Sequence, residues 1–173
     1  VTRFTSAGGA EVWPHVGARG HGARVDWMVD HVAGYLESGG LKGHIVDFTA
    51  VGGLAFTTCL LLENVGRKSG KRHIVALIYG CVGGEVIIIA SKGGADVPPA
   101  WYLNITASPE VAFQIGGQAF RATWRELQGT ERDEIWAFMK KVYPPYEEYQ
   151  AGTGRQIPLV ALQATNEIDR FSA

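Results

Sequence analysis

Two glycine doublets, Gly83-Gly84 and Gly116-Gly117, each divide a pair of apolar runs, and they constrain the fold of this chain more than any other feature. A tight hairpin needs φ > 0 at its central residues, which glycine supplies without steric cost. Each doublet therefore predicts two antiparallel strands, 73–81 with 85–90 and 111–115 with 119–127. Residues 55–64 and 158–163 are equally rich in β-branched and apolar side chains and bring the strands to six. Six short strands with helices between them predict a closed antiparallel barrel, mainly β within the α+β class, rather than a Rossmann sheet.

Three helices and one helical turn are expected around this barrel. Over 23–38, Val25, Met28, Val29, Val32, Ala33 and Leu36 fall on one stripe, with Asp26, Asp30, His31 and Glu37 on other faces. Such a stripe predicts a helix packed on the barrel. Peripheral contact with a membrane through this helix is the alternative, but its acidic polar face disfavours it. Pro98-Pro99 opens a short helix over 100–107. Thr130, with Asp133 three residues later, predicts the cap of a helix over 130–142 whose apolar face is Ile135, Phe138, Met139 and Val142. Pro145 starts a further turn. Residues 1–22 hold five glycines and a proline without periodicity and read as an irregular arm, leaving 23–173 as a single domain.

Charge excludes some functions. A formal net charge of −1 argues against nucleic-acid binding, and the local clustering of basic residues suits a small acidic ligand. Cys59 and Cys81 lie in apolar strand-like surroundings without metal-ligand spacing, which predicts buried reduced thiols. His15, His21, His31, His44 and His73 show no metal spacing either, so no metal is expected. With no apolar run of ~20 residues and no signal-peptide core, a cytoplasmic location is the default expectation.

The densest chemistry is Gly66-Arg67-Lys68-Ser69-Gly70-Lys71-Arg72, a glycine-flanked basic turn between two strands. It nearly matches a phosphate-binding P-loop, but only three residues separate its glycines, Arg72 stands where Ser or Thr is required, and a strand follows. It reads either as a solvated loop or as an arginine fork and a serine offered to a phosphodiester. Ser91-Lys92-Gly93-Gly94 ends an apolar strand and is a plain turn or a place where backbone approaches a flat ring. Trp101, Tyr102 and Asn104 are core aromatics with a helix-end amide, or pocket residues. Tyr143, Tyr146 and Tyr149, spaced by three, are packing or a set of phenols able to donate protons.

Taken in order, Gly66-Arg67-Lys68-Ser69-Gly70, Ala90-Ser91-Lys92-Gly93-Gly94-Ala95, Trp101-Tyr102-Leu103-Asn104, Tyr143-Pro144-x-Tyr146-x-x-Tyr149-Gln150 and Ile157-Pro158 resemble the deazaflavin-dependent nitroreductases. The resemblance covers about 60–162. It implies a six-stranded split β-barrel of the flavin-reductase-like type and coenzyme F420, in its reduced form, as hydride donor. It implies that Arg67, Lys68, Ser69 and Lys71 hold the phosphate end, with Lys71 and Arg72 toward the oligoglutamate tail. His73, Ile74, Val75, Ala76, Leu77 and Ile78, then Ile89, Ala90, Ser91 and Lys92, then Ala100, Trp101, Tyr102 and Asn104 would line the cofactor. Ser91 would lie beside the reactive ring, and Tyr143, Tyr146 and Tyr149 in the substrate pocket.

The chain departs from the family pattern at Arg72, His73 and Ala76 and at Val97-Pro98-Pro99, and its first third matches little. The expected activity is hydride transfer from F420H2 to a small acceptor, an enone, a quinone or a nitroaromatic, with Tyr146, Ser91, Tyr143 and Tyr149 as candidate catalytic residues. An FMN- or haem-binding protein of the same fold and a non-catalytic F420 carrier are the rival readings. The tyrosines favour the enzyme, and a monomer or homodimer is expected.

Overall fold

The computed structural model describes residues 21–172, with side chains from residue 27 onward. In chain order the elements are α1 (His21–Glu37), β1 (Ile45–Val46), β2 (Thr57–Val65), β3 (Arg72–Val82), β4 (Glu85–Ile89), α2 (Ala100–Ile105), β5 (Glu110–Ile115), β6 (Gln118–Glu126), α3 (Gly129–Val142), α4 (Tyr146–Ala151) and β7 (Leu159–Ile168). The strands run β2-β3-β4-β7-β6-β5 and all pair antiparallel. β5 then pairs back onto β2, Phe113 opposite Leu62, so the six strands close into a barrel. Among the described residues, closure leaves no long edge of these six strands open to another chain.

All six expected strands are present. Gly83 and Gly84 both take positive φ, 60° and 86°, as the primed hairpin requires. In the second doublet only Gly116 does, at 55°. β7 runs to Ile168, five residues past its expected end, because its polar outer half pairs with β6 around an irregularity at Arg121/Ala122. β1 is an unforeseen two-residue strand laid on the start of β2, Ile45 opposite Thr58.

Alternation sorts each strand into two faces. The inward set, including Leu60, Leu62, Val86, Ile88, Phe113, Val160 and Leu162, forms one cluster into which α2 inserts Trp101 and Ile105. On the outside, α3 and α4 cover Cys59, Ile87, Ile89, Leu159 and Ala161 with Ile135, Met139, Tyr143 and Tyr146. α3 comes so close to β3 that a Cβ at Gly80 would stand 2.7 Å from Met139 Sδ. α1 covers Leu61, Ala112 and Ala119 on another side.

Some local expectations are corrected. On α1, His31 is buried and Val29 and Ala33 are exposed, so the buried face is His31 and Tyr35 with Val32 and Leu36. The cause is the Tyr35 hydroxyl, which donates toward the carbonyls of Cys59 (3.3 Å) and Gln114 (3.4 Å) and accepts the Gly116 N–H (2.8 Å). That fixes the rotation of the helix more firmly than the aliphatic stripe does. Thr130 does not cap α3, which instead follows an extended Gln128 and a left-handed Gly129, with no side-chain cap. Of the two thiols, Cys59 is buried and Cys81 is exposed, and both are free. The expected arm lies outside the described residues except for its last two, which open α1.

Candidate functional site

The β2–β3 ladder ends at Val65 opposite Arg72, leaving the basic turn as the connection. Its hydrogen bonds are internal: Gly66 N–H to Lys71 O and Gly70 N–H to Gly66 O, both 2.8 Å. A Cβ at Gly66 would lie 2.5 Å from Ser69 Oγ and 2.9 Å from His73 Nε2, so both side chains close over Gly66. Arg67, Lys68, Ser69 and Lys71 are exposed, and no described carboxylate forms an ion pair with Lys68 or Lys71. Arg72 differs. It pairs with Glu63, donates to Ser172 O (3.3 Å) and lies over the Phe171 ring, which ties β3 to the C-terminal segment. Its charge is engaged by Glu63 and by Ser172 O within the fold.

Asn104 on α2 reaches this turn directly. Its Oδ1 accepts both the backbone N–H and Nη1 of Arg67, each at 3.2 Å. Its Nδ2 donates to Asn64 Oδ1 (2.8 Å), and Asn64 Nδ2 donates to His73 O (3.4 Å). Both amides are buried. A paired set of buried amides thus orients the guanidinium from β2, β3 and α2 together. Asn64 escaped the sequence reading, although a polar residue inside an apolar strand was its signal.

Beside β3, the chain leaving β4 makes the second loop. Ser91 is right-handed helical, and Lys92, Gly93 and Gly94 follow with φ of 51°, 66° and 80°. A right-handed residue followed by left-handed ones turns successive N–H groups into an anion-binding hollow. Lys92 is the one non-glycine residue with positive φ among those described. A Cβ at Gly94 would lie 2.9 Å from Tyr149 O, so α4 packs directly on the loop. Arg155 grips the loop from behind: Nε donates to Ala95 O (2.8 Å), and Nη2 to Ala90 O (3.0 Å) and Ser91 O (2.8 Å). Its Nη1 is buried without a hydrogen-bond partner, and burial lowers its pKa. Sequence reading missed Arg155.

The three tyrosines come together. Tyr143 and Tyr146 have ring centroids 5.0 Å apart, and each lies 6.2 Å from Tyr149. Tyr143 and Tyr146 are buried, Tyr149 is half-buried, and the hydroxyls of Tyr143 and Tyr149 are 3.4 Å apart. Burial raises the Tyr146 phenol well above its ordinary range. Trp101 is buried in the barrel interior. Half-buried Tyr102 donates to Glu126 Oε2 at 2.5 Å, and burial, then that bond, push its phenol up to about 12. Ile89, Ala90 and Ser91 are buried; His73, Lys92 and Ala100 are exposed.

Residues 74–78 of β3 are all half-buried, whereas Leu60, Leu61 and Leu62 on one side and Ile87, Ile88 and Ile89 on the other are covered. Val75 and Leu77 therefore form a partly open apolar strip toward the barrel interior, with Ile74 and Ala76 turned toward α1, on the strand that the basic turn begins and whose Tyr79 and Gly80 pair with Ile88 and Ile87, just before the Ser91 loop. That arrangement fits a long ligand with an anionic end and a flat ring. Among the described residues no His, Cys, Asp and Glu cluster is arranged to hold a metal, and no helix is long and apolar enough to cross a membrane.

A closed six-stranded barrel with helices on its outside and this strand-and-loop site places the protein among the flavin-reductase-like split barrels. The family model of the F420H(2)-dependent quinone reductases matches residues 40–164, and the chain belongs to that family. It is an oxidoreductase whose cofactor is reduced coenzyme F420. An F420H(2)-dependent quinone reductase of Mycobacterium tuberculosis is 34% identical over 106 residues, covering 60% of this chain and 71% of that protein. A solved F420-H2 dependent reductase (FDR-A) shares 40% identity at a TM-score of 0.56, covering 61% of this chain and 93% of its own. A solved domain-swapped dimer is 32% identical at a TM-score of 0.60, covering 80% and 98%. A haem-binding protein of Mycobacterium smegmatis, 11% identical at a TM-score of 0.51, shares the fold alone.

Proposed function

We propose that the protein reduces a quinone, with the basic turn, the β3 strip and the Ser91 loop as its coenzyme site. The observation that carries this reading is the pair of hydrogen bonds from Arg67 to Asn104, which fixes one cation in place beside others that no described carboxylate pairs. A cation held by a buried amide binds an anion without first losing side-chain freedom. Arg67, Lys68, Ser69 and Lys71 bind the anionic end, and Lys92 with the N–H hollow of the Ser91 loop adds a second anion contact. Val75 and Leu77, on the β3 face shared with Asn64, offer the apolar surface for the ring, while Ile74, Ala76 and Ile78 alternate onto the other face. When bound, F420H2 supplies a hydride, the two-electron half of quinone reduction.

The protein's own part is orientation and the proton. Reducing a quinone to a hydroquinone takes one hydride and one proton. Tyr149 is the tyrosine of the cluster that reaches the surface, so its hydroxyl donates the proton to the acceptor oxygen, with the Tyr143 hydroxyl behind it. Tyr146 shapes the pocket in this closed arrangement, and Ser91 hydrogen-bonds at the ring. The test is single-turnover oxidation of the F420H2-loaded protein by a panel of one quinone, one enone and one nitroaromatic. The fastest return of deazaflavin absorbance is expected with the quinone; a faster enone or nitroaromatic would replace the acceptor assignment.

A further inference from the structure

We propose that Arg155 is a positioning residue: its guanidinium holds the Ser91 loop in the one shape that presents the loop's N–H groups as a hollow, and locks that loop to the tyrosine-bearing helix α4. The inference rests on the proposed function for what the loop binds, but not for the locking itself. Three carbonyls of one short loop, those of Ala90, Ser91 and Ala95, all converge on two nitrogens of this side chain. A planar fork bonds several carbonyls from fixed directions, whereas an ammonium on a flexible stem reaches one at a time. The Gly94 and Ala95 N–H groups close the loop onto Ser91 O and Lys92 O, and the N–H groups of Ser91, Lys92 and Gly93 are those that form the hollow. The left-handed Lys92 is a conformation that a lysine adopts only where its surroundings impose it.

Arg155 is itself fixed from α4. Gln150 Nε2 donates to Arg155 O (2.8 Å), and Gln150 Oε1 accepts the Ile157 N–H (2.9 Å). Thr153 Oγ1 donates to Asp96 Oδ1 (2.9 Å) and accepts the Arg155 N–H (3.5 Å). The chain Gln150–Arg155–Ser91 therefore sets the spacing between Tyr149 and the loop. One half-buried arginine joins the coenzyme loop to the proton-donating helix.

The experiment compares Arg155→Lys and Arg155→Ala with the wild type by amide hydrogen exchange of the protein without coenzyme, followed by single-turnover kinetics. The amides of Gly94 and Ala95, bonded to Ser91 O and Lys92 O, report the loop. Arg155→Lys is expected to speed their exchange about tenfold or more while the barrel strands keep their protection. The hydride-transfer rate at saturating F420H2 is expected to fall about tenfold, with ethylguanidinium restoring part of it in Arg155→Ala. Unchanged exchange at Gly94 and Ala95, or equal loosening across the barrel, overturns the proposal, as does a loosened loop with a wild-type rate. Should Arg155→Ala not fold, Arg155→Lys alone decides. A wild type that binds no F420 would overturn the coenzyme reading, and the exchange result would still decide the locking role.

Discussion

Asn104 Oδ1 accepts two hydrogen bonds from Arg67, one from the backbone and one from the guanidinium, both at 3.2 Å. A residue on α2 thereby sets the direction of a cation on the β2–β3 turn. Asn104→Ala is expected to weaken F420 binding about tenfold and to lower stability by roughly 1–3 kcal/mol, because the Asn64 amide is left buried with one partner fewer. Titration of the coenzyme and a urea melt of the same variant check both. A full loss of stability with unchanged affinity would make the amide pair purely structural.

Cations of the turn and of the C-terminal clamp should separate cleanly. Arg67→Ala with Lys68→Ala is expected to weaken coenzyme binding by roughly 3 kcal/mol or more, because two charge-assisted hydrogen bonds to the coenzyme disappear. Its melting temperature should scarcely move, since exposed loop charges contribute little to stability. Arg72→Ala should do the reverse, lowering the melting temperature by removing the bonds to Glu63 and Ser172 and the packing on Phe171, while the coenzyme Kd stays put. A Kd for Arg72→Ala as weak as that of the double variant would return Arg72 to the binding site.

Among the tyrosines, exposure ranks the expected kinetic effects. Tyr149→Phe removes the hydroxyl of the one half-buried tyrosine of the three and should slow single-turnover quinone reduction by roughly 10²-fold, the loss expected for a positioned proton donor. Tyr143→Phe, which removes the group behind it, should cost less, and Tyr146→Phe least. The comparison is made at saturating coenzyme with each variant folded. If Tyr146→Phe is the slowest, the cluster opens during turnover and Tyr146 is the donor.

Alkali should destabilise the protein in a defined window. Burial pushes the phenols of Tyr35, Tyr79 and Tyr102 from 10.0 up to about 12. A phenol whose pKa is raised on folding keeps its proton in the native state, so its contribution is full below about pH 10 and is lost as pH rises through about 12. The urea midpoint should therefore fall between about pH 10 and 12. Tyr35→Phe should lower the midpoint at neutral pH, through loss of the Gly116 N–H bond, and make the alkaline fall shallower. An equally steep fall in that variant would assign the effect to other groups.

How far the chain could be read from its residues depends on the range of the interactions. Gly83-Gly84 announces a hairpin because its turn geometry is local, and the apolar strands it joins carry their own period. The outer half of β7 gave no signal, since residues 164–167 are exposed and all but Ala164 polar, and pair only because β6 lies beside them. The rotation of α1 follows from the Tyr35 hydroxyl, whose partners lie 24 and 79–81 residues away. The motifs carried the basic turn, the Ser91 loop and the tyrosines. Arg155 was silent because its partners are carbonyls 60 to 65 residues distant, and every residue type has a carbonyl.

A site for F420 built from the basic turn and the β3 strip, serving quinone reduction, makes a demand on both binding and turnover. Titration of the coenzyme-free protein with F420 and with FMN, followed by mixing of the F420H2 complex with a quinone in a stopped-flow cell, measures both. Tighter binding of F420 than of FMN, and oxidation of the bound coenzyme in a single turnover, are the expected results. Tighter FMN binding, or tight F420 binding with no oxidation by any acceptor in the panel, would contradict such a site.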